Sequence, residues 1–258
     1  MAARRRTKSW AQWLAAWDRQ QESFNSTREA RFTAMMDVLE ARLGRRFTVL
    51  DLGSGPGSFS ARILRRFPAA RSVAVDYDPV VRRIGEGALG DVGGRLTWVD
   101  AKLGAPGWTS ALPRRRFDAA VSTTALHWLQ PAQLTRLYGD LARLVRRGGV
   151  FLNGDYMAWD RSDRDLTGLG HRVVRLYLRR RGIDPRREWA GWNEWWAEAR
   201  RDPALRDAFG EHDRRNAGHP KERDIPLSGH VRRLRAAGFR TTAVVWQVFE
   251  NRVLFGVR

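Results

Sequence analysis

Residues 49–59 read VLDLGSGPGSF, in which an apolar run leads into an acid and then into three glycines at alternate positions. Glycine adopts positive φ at low cost and lets a ligand approach the main chain closely, so this stretch predicts a binding loop. The helical pattern that begins near Ser58 would point its first N–H groups at that loop. Because the acid at position 51 would repel a phosphate, the loop favours a ligand with ammonium or hydroxyl groups.

The rest of the chain alternates between short apolar runs and helical patterns. Strands are predicted at 47–52, 72–76, 96–99, 117–122, 150–153, 241–249 and 253–257. The helix that opens near Pro131 is expected to stop at Gly148-Gly149. Apolar runs that alternate with helices are typical of a buried, mostly parallel sheet, whereas the short spacing of the last two strands predicts an antiparallel hairpin.

The motif DLGSGPG at residues 51–57 resembles the first motif of class I S-adenosylmethionine (SAM)-dependent methyltransferases. A dinucleotide-binding loop and a glycine-rich turn without a ligand are the competing interpretations. The dinucleotide fingerprint requires glycine at the sixth position from Gly53, where this chain has Ser58. The terminal hairpin is a second point of resemblance. The fold implied is α/β and Rossmann-like, with a seven-stranded, mostly parallel sheet that ends in an antiparallel hairpin, and with a helical cap insertion.

Three regions follow from this resemblance. Residues 1–45 are expected to form N-terminal covering helices, and 46–154 with 225–258 the SAM-binding core. Residues 155–224 are too many for an ordinary connection and predict a helical cap that binds the substrate. The cap would lie over the carboxyl ends of the strands, where open α/β sheets bind ligands.

The resemblance also assigns residues to SAM. Gly53, Gly55 and Gly57 would line its methionine part, with Asp51 near its ammonium group. Asp76 ends the second strand, and its carboxylate would accept from the ribose hydroxyls. The remaining expected contacts are Tyr77 on the adenine face, Asp100 and Ala101 at the adenine nitrogens, Ser122 and Thr123 beside the sulfonium, and Arg28 or Arg31 at the carboxylate. Taken singly, each acid is also typical of a turn or a helix cap.

The implied reaction is an in-line methyl transfer, which needs a base only when the nucleophile carries a proton. His127 lies in TTALHWL, residues 123–129, which resembles the segment after the fourth strand in the small-molecule branch related to trans-aconitate and ubiquinone-pathway methyltransferases. A histidine with a pKa of about 6.5 suits proton removal at neutral pH. Asp155 is the second candidate. A structural role for His127, below the pocket or in the loop, is the alternative.

Aromatic residues are expected to hold the methyl acceptor. They are Trp17, Phe24, Trp128, Tyr156, Trp192 and Trp196, with His127 beside them. The alternative for the tryptophans is ordinary core packing. Enzymes that methylate amino groups of bases have a signature Asp/Asn-Pro-Pro-Tyr run after the fourth strand. This chain has Ser122-Thr123-Thr124-Ala125 there, which argues against that reaction. His212 and His219 have no helical metal-ligand spacing, so no metal site is expected.

The net charge of +19 comes almost entirely from arginine, since Lys8, Lys102 and Lys221 are the lysines. The arginines are scattered, which favours a compositional origin over a nucleic-acid face. An RNA methyltransferase is nevertheless the alternative function, and a SAM-binding protein without methyl transfer is the third. The chain has no cysteine and no long apolar run. We therefore expect a cytoplasmic monomer or homodimer that acts on a small-molecule acceptor, without a membrane partner.

Overall fold

The computed structural model describes residues 7–25, 27–180, 182, 184, 190–217 and 225–258. The side chains of Ser23, Phe24 and Arg164 lie outside this description. The expectation that Phe24 contacts the acceptor therefore concerns a side chain outside this description, and His219 also lies outside the described residues. Among the described residues, no helix combines the length and the apolar composition needed to cross a bilayer.

Seven strands of the described chain form one sheet, in the order β3-β2-β1-β4-β5-β7-β6. They are β1 Thr48–Leu52, β2 Arg71–Asp76, β3 Leu96–Asp100, β4 Phe117–Thr123, β5 Val145–Tyr156, β6 Thr241–Val248 and β7 Asn251–Val257. Strands β1 to β5 are parallel, and β7 is antiparallel to both β5 and β6. The predicted sheet with its antiparallel ending is confirmed. The chain order reverses between β1 and β4, the switch point at which such sheets bind ligands.

Helices cover both faces of this sheet and one of its ends. They are α1 Trp10–Phe24, α2 Arg28–Leu43, α3 Ser58–Arg66, α4 Pro79–Leu89, α5 Pro131–Leu144, α6 Arg164–Arg180, α7 Ala190–Arg200, α8 Arg206–Asn216 and α9 Leu227–Ala236. Caps fix several of their ends: Ser9 forms a capping box with Gln12 on α1, and Asp78 accepts from two N–H groups at the start of α4. Such caps satisfy donors that the helix itself leaves unpaired.

Side chains alternate across the sheet and produce two cores. Leu50 and Leu52 of β1 pack on the side of α5 and α9, whereas Val49 packs on the side of α2 and α3. A third cluster, which includes Trp13 of α1 and Trp195 of α7, joins α1 and α4 to α7 and α8. Burial of these aromatic rings holds α7 and α8 against α1 and α4.

The boundary between α5 and β5 differs from its prediction. The helix ends at Leu144 and the strand begins at Val145, so the expected helix stop at Gly148-Gly149 is wrong. Val145 pairs with Phe117, and the β4–β5 register shifts before Ala119. Gly148, with a φ of 77°, lies inside this irregularity. The glycines therefore serve a bulge in the strand rather than a helix end.

Candidate active site

A cavity of about 1580 Å³ lies at the carboxyl ends of the parallel strands. The segments after β1, β2, β3 and β4 line it, together with α1, the cap helices and the tip of the β6–β7 hairpin. Pockets that hold one small ligand usually measure roughly 300–1,000 Å³. The cavity is therefore large enough for a cofactor and a second molecule side by side.

The glycine loop forms the floor of one end of this cavity. The N–H groups of Gly53 and Ser54 donate to the carbonyl of Val75 at 2.8 and 3.0 Å, which ties the loop to the end of β2. Gly53 has a φ of 66°, and a Cβ there would lie 2.4 Å from the Cβ of Ala125. Gly53, Ser54 and Gly55 line the cavity. Gly57 does not; it precedes α3 and packs against the ring of Trp98.

Replacing Gly57 with alanine is expected to destabilise the fold more than replacing Gly107. Both glycines are left-handed, with φ of 79° and 72°, which costs an L side chain about 1–2 kcal/mol. A Cβ at Gly57 would also lie 2.5 Å from the Trp98 ring, whereas nothing lies within 4 Å of a Cβ at Gly107. Overpacking adds about 1–3 kcal/mol. Urea unfolding of both variants measures this difference, and equal losses would contradict the packing argument.

Asp76 ends β2 and faces the same end of the cavity. Its Oδ2 accepts from the N–H of Gly55 at 2.6 Å, and its Oδ1 accepts from the N–H of Asp78 at 2.8 Å. Desolvation raises the pKa of Asp76 to about 7, with further increases from the charges of Asp78 and Asp51, although both N–H groups oppose the rise. Donors from a ligand would stabilise the ionised carboxylate.

This arrangement fits SAM better than a dinucleotide. In a dinucleotide-binding loop, backbone N–H groups at the helix N-terminus hold a pyrophosphate. Here the Gly55 N–H donates to the carboxylate of Asp76, which adds a negative charge where the pyrophosphate would lie. A ribose, by contrast, offers hydroxyl donors that a carboxylate accepts. Tyr77 and Lys102 line the cavity beside Asp76.

Asp51 lies away from the cavity, although the sequence suggested a place near the cofactor ammonium group. It is 1% exposed, and the hydroxyl of Ser60 on α3 donates to its Oδ2 at 2.6 Å. Burial raises the pKa of Asp51 to about 6. In the β1–β2 pairing Asp51 is opposite Ala74, two residues before Asp76. It is therefore inside the sheet, where it supports α3 under the loop.

Asp100 is held by the cap rather than presented to the cavity. Both terminal nitrogens of Arg215 on α8 donate to its carboxylate at 2.7 Å, and the same guanidinium donates to the Tyr77 carbonyl at 2.6 Å. Hydrogen bonds from Arg215 hold the pKa of Asp100 below its ordinary value, against the effect of burial. On the same helix, His212 Nδ1 lies 2.7 Å from Asp78 Oδ2. These contacts join α8 to the ends of β2 and β3.

The other residues expected at the cofactor separate into two groups. Thr123 and Arg28 line the cavity, and Arg28 donates to Asp18 at 3.0 Å. Ala101 and Ser122 do not line it; the Ser122 hydroxyl donates to the Leu52 carbonyl at 2.8 Å. Arg31, the alternative to Arg28, is fully buried and does not line the cavity. It donates to Thr124 at 2.5 Å and to Asn251 at 3.2 Å.

His127 and Asp155, the two candidate catalytic residues, form one pair. His127 Nδ1 lies 2.8 Å from Asp155 Oδ1, and Asp155 Oδ2 accepts from the N–H groups of Leu126 and His127 at 3.0 and 3.2 Å. Burial raises the pKa of Asp155, but the His127 imidazole and the Arg31 guanidinium beside it outweigh burial and hold that pKa below its ordinary value. The ionised carboxylate fixes the Nδ1 proton of the neutral ring, which places the basic lone pair on Nε2.

His127 lines the cavity, whereas Asp155 is 1% exposed and would act only through His127. The pair forms because β4 and β5 are neighbours: Thr123 is paired with Gly154, so the segments that follow the two strands meet. A carboxylate that orients an imidazole in this way is the arrangement used for proton removal from a hydroxyl group.

Tryptophan rings from α1 and α7 form one wall of the cavity. Trp17 lies with its ring centroid 5.7 Å from Trp192 and 6.5 Å from Trp196, and all three line the cavity. Trp195 is core, at 4% exposure. Trp128 and Tyr156 line the cavity near His127, where both are more than one third exposed. The structure thus brings together the described aromatic residues expected at the acceptor.

Several lining residues were not anticipated from the sequence. They are Gln21, Asn25, Lys102, His171, Arg175, Asn193, Glu250 and Asn251. Glu250 lies in the short hairpin turn and Asn251 begins β7, and a polar pair there is an ordinary turn signal. Their place at the cavity depends on the pairing of Asn251 with Tyr156 across β5 and β7. Among the described residues, no group of three or more side chains suited to hold a metal ion occurs.

Comparisons with known proteins agree with this geometry. Residues 49–149 match a family model described as a methyltransferase domain. Trans-aconitate 2-methyltransferase of Azoarcus sp. strain BH72 is 35% identical over 138 residues, which make up 53% of this chain and 49% of that protein. The chain thus spans about half the length of the curated relatives it matches.

Solved structures show the same fold. An O-methyltransferase family protein from Burkholderia thailandensis superposes with a TM-score of 0.57 at 20% identity, over 95% of this chain and 59% of the other. Human N-acetylserotonin methyltransferase in complex with SAM gives a TM-score of 0.53 at 12% identity, over 93% and 56%. The chain thus carries a methyltransferase domain at residues 49–149 and has the fold of these solved methyltransferases.

Proposed function

We propose that the protein transfers the methyl group of SAM to an oxygen, nitrogen or carbon nucleophile of a small molecule. One observation carries this proposal: a single cavity is lined by Asp76 at one end and by His127, which Asp155 orients, at the other. The cofactor would occupy the first end, and the acceptor would lie between it and His127. The wall formed by Trp17, Trp192 and Trp196 favours a small, partly apolar acceptor.

SAM, when bound, supplies a methyl group that is already activated for displacement. The protein's own residues would hold and orient it. Asp76 would accept from the ribose hydroxyls, the backbone at Gly53 and Gly55 would face the methionine part, and Arg28 would attract the carboxylate. Correct orientation of the two reactants in a site that excludes water supplies roughly 7–11 kcal/mol in favourable cases.

His127 would act when the acceptor carries a proton on its nucleophile. Its Nε2 would take the proton of a hydroxyl group, and Asp155 would stabilise the imidazolium that forms. The Azoarcus relative is named for trans-aconitate, a carboxylic acid whose ionised oxygens need no base. The His127–Asp155 pair therefore favours a hydroxyl acceptor for this chain.

The net charge of +19 suggested RNA as the alternative acceptor. In the described structure, however, many arginines are paired with acids on the same surface. Arg62 pairs with Asp18 and Glu29, and Arg66 pairs with Glu40. A guanidinium already paired with a carboxylate has less to gain from a phosphate. This pairing supports the small-molecule acceptor; the cytoplasmic location and the monomeric or homodimeric state stay predictions.

A labelling experiment separates these acceptors. The protein is incubated with SAM labelled in its methyl group and with a bacterial extract divided into RNA and metabolites. We expect protein-dependent label in the metabolite fraction and in a product whose mass rises by one methyl group. The Asp76→Ala variant should remove the label. Label confined to RNA would contradict the proposal, and so would label that does not depend on the protein.

A further inference from the structure

The tip of the β6–β7 hairpin forms the acceptor end of the cavity. Phe249, Glu250 and Asn251 line it. Strand β7 runs antiparallel to β5, with Arg252 opposite Asp155 and Asn251 opposite Tyr156. The hairpin tip therefore lies beside the His127–Asp155 pair and away from Asp76. Phe249 has a φ of 51°, which the two-residue loop between β6 and β7 requires.

Glu250 places a buried carboxylate at this end. The residue is 4% exposed, and its Oε1 is shielded from solvent and has no hydrogen-bond partner among the described residues. Its backbone carbonyl accepts from the N–H of Met157 at 2.9 Å, so the main chain is used by the fold. Helix α6 closes over the side chain, since a Cβ on Gly170 would lie 2.8 Å from Oε2.

Arg252 is the charged neighbour of Glu250, but its hydrogen bonds go to other groups. Arg252, the residue after Asn251, donates to the carbonyls of Met157 and Ala158 at 2.7 and 3.3 Å, and its guanidinium lies 4.0 Å from the centre of the Trp159 ring. Arg175 and His171 of α6 line the same cavity, but within the described part of the chain no ion pair joins either of them to Glu250. The charge of Glu250 is thus partly offset by Arg252, but its Oε1 has no hydrogen-bond donor among the described residues, and a ligand could supply one.

A buried carboxylate without a donor is unfavourable, and a positively charged donor is the partner that best offsets this cost. The aromatic rings nearby add to the preference, because the face of a tryptophan or tyrosine ring attracts a cation. Tyr156, Phe249 and Trp128 all line this end of the cavity. An acceptor with a second carboxylate would instead bring like charge against Glu250.

We propose that Glu250 binds an ammonium group of the methyl acceptor, so that the substrate is a cationic amine with a separate nucleophile. This inference rests on the proposed function. The ammonium group would lie at the hairpin tip, the apolar body against the aromatic wall, and the nucleophile toward His127. Glu250 is then a binding residue for the acceptor and takes no part in holding SAM.

The test compares two probes that share one skeleton and differ in their terminal group, which is an ammonium in one and a carboxylate in the other. Tyramine and 3-(4-hydroxyphenyl)propionate share a phenol and a two-carbon chain. Each is titrated into the full chain saturated with S-adenosylhomocysteine, with tryptophan fluorescence as the readout because Trp17, Trp192 and Trp196 line the cavity. We expect tyramine to bind at least about tenfold more tightly, as for a charge-assisted hydrogen bond.

Variants assign the preference to Glu250. Glu250→Gln should reduce the difference between the probes to below about threefold, since it removes the charge and keeps the shape. Glu40→Gln is the matched control; Glu40 pairs with Arg45 and Arg66 at the far end of α2 and should keep the preference. Glu250→Asp keeps the negative charge and should retain part of the preference for tyramine. Circular dichroism of each variant verifies the fold.

Three results would overturn the inference: equal or tighter binding of the propionate, no measurable binding of tyramine, or an undiminished preference in a folded Glu250→Gln variant. With S-adenosylhomocysteine bound, these results leave the methyltransferase proposal intact. Absence of S-adenosylhomocysteine binding would instead contradict the proposed function, and the inference would fall with it.

Discussion

Replacement of His127 by alanine is expected to lower kcat for transfer to a hydroxyl acceptor by about 10²–10⁴-fold, the contribution of a positioned general base. The acceptor is the one identified by the labelling experiment. The affinity for SAM should stay within about threefold of the original, because His127 lines the acceptor end while Asp76 faces the other. Single-turnover rates and calorimetric titration of SAM measure the two quantities separately.

Asp155→Asn should share this defect. The neutral amide no longer fixes the Nδ1 proton of His127 or stabilises the imidazolium, so the rate falls while the shape of the site is kept. Added imidazole should restore part of the activity of His127→Ala and none to Asp155→Asn, whose own imidazole still fills the position. If His127→Ala retains the full rate at every pH, the base assignment is wrong and the pair is structural.

Replacement of Asp76 by asparagine is expected to weaken SAM binding by about 10²-fold. A hydrogen bond to a charged group contributes about 1.5–3 kcal/mol, and the ribose offers two hydroxyl donors. Calorimetry measures the effect, with Asp37→Asn as the matched control. Asp37 pairs with Arg66 on the surface of α2 and should leave the affinity unchanged. Equal affinity of Asp76→Asn and the original chain would contradict this assignment of the ribose site.

The raised pKa of Asp76 predicts that the affinity for SAM depends on pH. Because burial raises the pKa of Asp76 to about 7, the carboxylate gains a proton as the pH falls below 7. The protonated acid loses the charge that strengthens its bonds to the ribose, so SAM should bind less tightly at pH 6 than at pH 8. Asp76→Asn should lack this component. A dependence of equal size in the variant would show that another group titrates.

The order of strands and helices was accessible from the sequence because local patterns carry it. Apolar runs and glycine or proline boundaries located all seven strands, and the spacing of the last two predicted their antiparallel pairing. The predicted start of β5 was wrong. A glycine such as Gly148 is typical of a helix end, but here it lies in a bulge of the strand. Nothing local distinguishes the two uses of a glycine with positive φ.

Within the site, residues at strand ends were predictable and side-chain directions were not. Asp51 and Asp76 both follow apolar runs in the sequence, yet Asp51 lies two residues deeper in the sheet and accepts from Ser60. His127 and Asp155 were separate candidates until the β4–β5 pairing joined them. The Arg215–Asp100 bond links residues of an insertion and of the core, and no local pattern indicates such a partner.

Calorimetric titration of the chain with SAM, and with its demethylated product S-adenosylhomocysteine, tests the central claim most directly. Both ligands should occupy the end of the cavity formed by Asp76 and the glycine loop. The account predicts a saturable heat signal for each, which Asp76→Asn weakens and which NAD does not reproduce. Absence of binding by both SAM and S-adenosylhomocysteine to the folded chain would contradict it.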